Sequence, residues 1–584
     1  MKIQATKKRG GATFTTRTQR ARPRRRGLVL LLVLVAIVLL SLAAYTFAHW
    51  MTAELAAASA RGDQGQVELL VDSGASLIRS VLTEGAGGRP PSGDLADNPA
   101  VFRGVLVRDD ADSRLRGRFT VLAAHPASEF VTSGSVRYGL SNESARFNLG
   151  HLAAQETAGR EMLLKLPGMT EDVADAILDW VDADDMPRIG GAESDVYQQR
   201  QPPYAAKNGP LDAIDELLLV QGVGHSQLFG IDANQNGLVD AAEVQRGGPS
   251  SPQEDPLLAG WSAYLTLFSA ERNVNASGSK RIHVNANDLQ QLHADLVAAF
   301  DQKTADFIVA FRQSDKQDGQ AANGNGTAPA PTANPTQPGT PGTPPPGAGP
   351  PTGVNRAASD SGNPSRSDGG AQGRTTAADG GRGSAGQGKL DLSQPAKQTL
   401  ASLLDLIGAT AQAQYDGGNG PVPMESPFAN EPEAMAEYLP KLMDLCTVQE
   451  ADVIPGRVNI NVASRAVLET LPGMEPAMID RILEDRATDR QDPADSQGLS
   501  ATWLLTKGIV TLEQMKALDP WVTTGGDVYR AQIVGFLEGE PGYSRAEIVV
   551  DATSQPARMI SWKELTHLGR GFSRDVLNAT ADSP

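Results

Sequence analysis

Cysteine is almost absent from this 584-residue chain, where Cys446 is the only one. A single thiol excludes an intramolecular disulfide framework and any multi-cysteine zinc site. Aromatic residues are scarce too, at 5%, while 60 glycines and 38 prolines are spread along the chain, so parts of it do not build a core. Acidic residues are missing from residues 1–26, which hold ten Lys and Arg. The whole chain carries −17, so the remainder carries −27. Such a body is poorly suited to wrapping nucleic acid and well suited to holding cations. Signatures of catalysis are also missing. There is no GxSxG, HExxH or P-loop, and His151, His225, His283 and His293 stand at no ligand or triad spacing, so no enzyme is expected.

What is present begins with residues 28–48, an uncharged apolar run of 21 positions. As a helix it spans about 31 Å, enough to cross a bilayer core. A cleaved secretory signal has a shorter apolar core, of about 7–15 residues. The basic block before the run places the N-terminus in the cytoplasm and the body outside it. The helical pattern continues through Val67, Leu70, Val71, Leu77, Ile78, Val81 and Leu82, and ends at Gly85, Gly87 and Gly88. One rod over 28–84 is expected.

The body repeats itself. Arg146-Phe147-Asn148-Leu149 corresponds to Arg457-Val458-Asn459-Ile460, and Leu166-Pro167-Gly168-Met169 corresponds to Leu471-Pro472-Gly473-Met474. A shorter version surrounds Gly222 and Gly224, and the Asn-containing entry recurs from Arg281. Each unit reads as a helix, a glycine turn and another helix. This resembles the helix-hairpin-helix module, whose turn amides often bind DNA phosphate. Only the Gly222/Gly224 turn has the second glycine of that module; Thr170 and Glu475 take its place elsewhere. With acidic residues crowding the first copy, helical packing is the expected role, and no nucleic-acid partner is expected.

Asp232, Asn234, Asn236, Gly237, Leu238, Asp240 and Glu243 fit positions 1, 3, 5, 6, 7, 9 and 12 of a calcium loop. Gly247, Gly248, Pro249 and Pro252 break the exit helix early, giving half an EF-hand. An Asn/Asp-rich surface turn is the alternative. Residues 314–389 are rich in Pro, Gly and Ser and read as a disordered linker. Helical patterns follow at 396–407 and 432–446. Tyr529–Leu537 and Ala546–Thr553 read as strands joined by a turn at Glu540-Pro541-Gly542, with earlier strand candidates at 118–123 and 130–140.

Arg24-Arg25-Arg26-Gly27 before the apolar run resembles a type IV prepilin leader. The resemblance implies cleavage by prepilin peptidase between Gly27 and Leu28, with methylation of the new N-terminus. Most pilins carry glutamate at mature position five, where this chain has Leu32. That departure matches the minor pseudopilin K (GspK) family of type II secretion systems. The order Asp179-Trp180, Asp182, Asp184-Asp185, Gly191-Ala192-Glu193, Tyr197, Pro202-Pro203-Tyr204 and Asn208 closely resembles the helical domain of the same family. Relatives bind calcium in that domain, so Asp182, Asp184, Asp185, Glu193 and Asp195 are implied as a second metal cluster.

The expected fold is α+β: an N-terminal transmembrane and stem helix, a pilin-like antiparallel sheet, and a large inserted α-helical domain. The expected layout is a leader to 27, a membrane span over 28–48, stem and first strands over 49–145, and a helical domain over 146–313. The linker, a second helical lobe over 390–525 and final strands over 526–584 complete it. The resemblance implies a minor pseudopilin that caps or initiates the pseudopilus tip, with other minor pseudopilins and the secretion machinery as partners and the inner membrane as its location. The alternatives are a membrane-anchored DNA-binding protein of the competence type and a calcium-dependent surface adhesion module.

Overall fold

The structure, a computed structural model, describes residues 26–84, 94–123, 136–238, 243, 256–315, 389–418, 420–489, 500–539 and 542–578. Several expectations lie outside these residues: the leader up to Arg25, the glycines at 85, 87 and 88, the first part of the 130–140 strand, and Asp240. The breakers from Gly247 to Pro252, linker residues 316–388 and the turn pair Glu540-Pro541 lie outside as well.

Arg26–Glu84 is one unbroken helix, α1, as the continuous pattern requires. Its apolar side chains from Val29 to Leu55 are mostly exposed, as a membrane-spanning stretch demands. Gln66 accepts from Arg108 of the head at 2.7 Å, and burial against the head begins at Val67. Val67, Leu70, Val71, Ala75, Ile78 and Leu82 recur at helical spacing and are buried.

That stripe lies on an antiparallel sheet. Its strands are β1 (Val105–Arg108), β2 (Gly117–Leu122), β3 (Val528–Leu537), β4 (Tyr543–Asp551) and β5 (Arg558–Glu564), in that spatial order, and Ser141–Asn142 also pairs with β3. Alternation divides β3 and β4 between two faces. Ala531, Ile533, Ala546, Ile548 and Val550 join α1 in the core, while Gln532, Arg545 and Glu547 point to the opposite side. The stem comes close enough that a Cβ on Gly535 would lie 2.5 Å from the Val67 carbonyl oxygen. Strands β1 and β5 were not expected. Among the described residues, the 130–140 candidate reduces to a single bridge between Ala123 and Arg137.

By their contacts, residues form two compact units. One comprises Met1–Ala286, Leu400–Gly408 and Phe428–Pro584; the other comprises Asn287–Thr399 and Ala409–Pro427. In the second, helices Leu289–Ala299 and Gln302–Gln313 pack together, and His293 Nε2 lies 2.7 Å from Asp306. The helix expected over 396–407 does not form. The amides of Lys397 and Gln398 donate to the Arg312 carbonyl instead, and only a single 3-10 turn, Leu403–Leu406, appears downstream.

In the first unit the repeated entry segments share one device. Phe147-Asn148 pairs in parallel with Leu265-Thr266, Ile282-His283 with Cys446-Thr447, and Val458-Asn459 with Val522-Thr523. In every pair the threonine hydroxyl accepts the amide two residues on, from Phe268, Gln449 and Gly525. The Asn148 and Asn459 side chains donate to carbonyls just past the partner segment. Each clasp is a two-residue ladder fastened by side chains.

The insertion of the helical domain into the sheet is held by a buried carboxylate. Glu143 is fully buried. It accepts Arg530 Nε at 2.7 Å, Arg146 Nη1 at 2.8 Å and the Thr266 hydroxyl. Burial alone would raise its pKa, but the charges of Arg530 and Arg146 and their hydrogen bonds bring it down to about 2. The folded value lies below the unfolded one. The stabilisation is therefore complete above the unfolded carboxylate pKa, near 4.3, and is lost as pH falls toward 2. Thermal melts of the head between pH 6 and pH 2 are expected to show this loss, and Glu143→Gln to remove most of it while costing about 3–5 kcal/mol at neutral pH. Gly535→Ala is expected to weaken the protection of β3 amides against hydrogen exchange by about 1–3 kcal/mol, because the stem must move away.

Candidate cation sites in the helical domain

The first site is built on a helical hairpin. Helix α2 (Glu156–Leu164) ends before Pro167, and Gly168 takes a φ of +68° that a side chain disfavours. Thr170 caps helix α3 (Glu171–Val181) by accepting the Val173 amide. One face of α3 buries Val173, Ala174, Ile177, Leu178 and Trp180. Asp175 is held by Arg160 at 2.5 Å.

Asp179, one turn on, is fully buried. It accepts the Arg188 amide at 3.1 Å and Arg188 Nη1 at 2.6 Å, which folds the loop after α3 back over the helix end. The loop closes so tightly that a Cβ on Gly191 would sit 1.8 Å from Asp179 Oδ2. The same guanidinium nitrogen reaches Asp182 Oδ2 at 2.6 Å. This fold brings Asp182, Asp184 and Glu193 together, with ligand atoms within 4.8 Å of one another.

Glu193 is only 2% exposed, and both its carboxylate oxygens are buried without a hydrogen-bond partner, as is Asp182 Oδ1. Burial pushes the Glu193 carboxyl up to about 7, and the charges of Asp179, Asp182, Asp185 and Asp184 add to the rise. Counting Asp179, Asp182, Asp184 and Glu193 against Arg188, the cluster has an excess of negative charge. Orphaned buried oxygens and surplus charge together fit a hard cation.

The other two residues expected in this cluster are elsewhere. Asp185 accepts the Asn208 side-chain amide at 2.9 Å, and Asp195 is exposed on the helix Ser194–Tyr197. Sequence reasoning did not single out Arg188 as the residue that closes the loop. The signal that could have found it is the Gly190-Gly191 pair, which allows the loop to close onto Asp179.

The calcium-type loop is assembled differently. Asp232 accepts the amides of Asn236 at 3.1 Å and Gly237 at 2.8 Å, with Gly237 at φ +75°. Asn234 Oδ1 accepts the Asn236 amide, and Glu243 accepts the amides of Ala233 and Asn234. The residues at positions 1, 3 and 12 thus converge. Asn236 instead donates to the Gly571 carbonyl, and Leu238 packs beside Phe572 and Leu577. The loop is fastened to the sheet. Arg545, fully buried on β4, donates to the carbonyls of Asn234 and Gln235, and Gln532 donates to Gln235. Burial, with Glu243 adding to it, pushes Asp232 up to about 7.

The hairpin glycines differ in conformation and surroundings. Gly222 and Gly473 have φ of +82° and +69°, but Gly224 is extended and starts the helix His225–Phe229. A Cβ on Gly222 would meet Val173 of α3 at 2.8 Å. Lys165 donates to the Leu471 carbonyl, joining the first hairpin to the second.

Part of the helical domain is similar to known proteins. The family model described as type II secretion system, protein K matches residues 145–228. Type II secretion system protein K of Klebsiella pneumoniae is 26% identical over 193 residues, which is 30% of this chain and 58% of that protein. The protein K of Pectobacterium carotovorum subsp. carotovorum is 32% identical over 89 residues, covering 15% and 27%. The chain therefore spans somewhat more than half the length of the first of these relatives and about a quarter of the second. The crystal structure of the GspK-GspI-GspJ complex of enterotoxigenic Escherichia coli aligns with 87% of this chain and 98% of that one, at 11% identity and a TM-score of 0.33. The hairpin and loop that gather Asp182, Asp184 and Glu193 lie within the segment that the protein K family model matches.

Proposed function

We propose that this chain is a minor pseudopilin of a type II protein secretion system. It would act at the tip of the pseudopilus with other minor pseudopilins, as a structural subunit rather than an enzyme. The observation that carries this reading is the position of the protein K domain, between a membrane-length stem helix and the final strands of an antiparallel sheet packed on that stem. The helical domain is bulky, and on a tip subunit it would block the addition of another subunit above it. The basic leader and the apolar helix support a single span of the inner membrane, with the body in the periplasm.

Edman sequencing of the mature protein from a cell that expresses prepilin peptidase is expected to begin at Leu28, with its amine methylated. An intact Met1 would overturn the reading.

Calcium is the cation proposed for the cluster of Asp182, Asp184 and Glu193, because the donors are all oxygen and the carboxylates are flexible in denticity. Bound there, it would neutralise the gathered carboxylates and pin the loop after α3. Asp232, Asn234 and Glu243, with Asp240 and the Leu238 carbonyl, are proposed to hold a second ion. Calcium at about one hundred times its dissociation constant is expected to stabilise the protein by about 2.7 kcal/mol per site. Glu193→Gln is expected to abolish the contribution of the first site only, and calorimetric titration of both proteins measures it.

A further inference from the structure

The apolar floor beneath the stem does not stop where the stem does. Helix α1 packs on β2, β3 and β4, and the core it covers contains no residue of β5. In register, Trp562 of β5 lies opposite Ile548, and Met559 lies opposite Val550. Directly opposed residues of an antiparallel pair share a face. Trp562 and Met559 therefore extend the same face as the buried Ile548 and Val550, one strand beyond the edge of the stem. They are 39% and 43% exposed, and Ile560, at the bulge between them, is 42% exposed. Large apolar side chains that continue a core into the open in this way mark a contact surface.

The shape of the surface selects its occupant. Strands lie about 4.8 Å apart, and packed helices about 8–10 Å apart. A second helix beside α1 would cover β5 and the flank of the stem together. The charges select it further. At the end far from the membrane stands Arg79 of the stem, which donates to the Ala557 carbonyl, while Arg558, opposite Asp551, lies on the other face of the sheet. At the end nearer the membrane stands Glu564, opposite Ala546.

We infer that the face formed by Met559, Ile560 and Trp562 receives the amphipathic stem helix of another pilin-like subunit, lying alongside α1. Its apolar stripe faces Trp562, acidic residues stand level with Arg79, and basic residues stand level with Glu564. This rests on the pseudopilin reading above and adds to it the surface that is used.

The test uses the full-length chain in membranes, co-expressed with the pilin-like subunits of its own secretion system. A benzophenone amino acid in place of Trp562 is expected to crosslink on irradiation to the N-terminal helix of one of those subunits. The same probe at Met186, exposed on the helical domain, is expected not to reach that helix. Met559→Lys with Trp562→Lys is expected to cut co-purification of the subunit about tenfold, the loss of one interface anchor, while leaving the protection of β3 amides unchanged. Crosslinks into a globular head, an extended segment or a second copy of this chain would overturn the inference. So would no crosslink from position 562, or undiminished co-purification of the lysine variant. If the unsubstituted chain fails to co-purify with those subunits, the pseudopilin reading itself falls and the inference falls with it.

Discussion

The architecture turns on one buried anion. Glu143 stands where the chain leaves the sheet for the helical domain, and Arg530 stands on the strand by which it returns. Both are charged, Glu143 is fully buried and Arg530 is mostly buried, and neither is tolerable without the other. Arg146 and Thr266 satisfy the remaining lone pairs of the carboxylate, so exit, return and first clasp meet in one hydrogen-bonded cluster. Without it, a long insertion would hang from a small sheet by two strands. With it, the insertion has a fixed root. A related arrangement recurs at the third clasp, where Glu271 accepts from Arg457 at 2.5 Å and from the Thr523 hydroxyl at 2.6 Å.

The two candidate cation sites differ in what surrounds them. The loop at Asp232 is braced from below by Arg545 and Gln532, so its carbonyls are already committed to the sheet. The cluster at Glu193 is braced from the side by a single arginine that also contacts Asp179, and it keeps its oxygens unspent. The first arrangement serves to attach the helical domain to the head. The second leaves both buried oxygens of Glu193 without a partner.

Much of this was legible in the sequence, where the signal was periodic or local. The stem helix, β3, β4, the hairpin glycines and the acidic loop all have their causes within a few residues. The strand β5 was not legible, because Arg558–Glu564 mixes exposed apolar and charged residues without alternation. The 396–407 segment misled because its leucines sit at helical spacing while its first amides are taken by Arg312. Half of each clasp was visible as the repeated Arg and Asn entries. The closing Leu-Thr, Cys-Thr and Val-Thr pairs were not, since they lie far downstream and a two-residue strand carries no periodicity. Within the acidic loop, composition could name the carboxylates but not sort them. Only the path imposed by Asp179 and Arg188 separates Asp182, Asp184 and Glu193 from Asp185 and Asp195.

The clasps also bear on how such a chain can change. Each fixes the two ends of a segment with a short ladder and a few side chains, and leaves what lies between them unspecified in length. Doubling the length of a closed loop costs only about 0.6 kcal/mol. Material can therefore be gained or lost between Ile282-His283 and Cys446-Thr447, as the Pro/Gly-rich stretch in that interval suggests, while the sheet and the stem keep their registers. Three fasteners of one kind make the domain extensible: its frame is fixed, and its contents are open to variation.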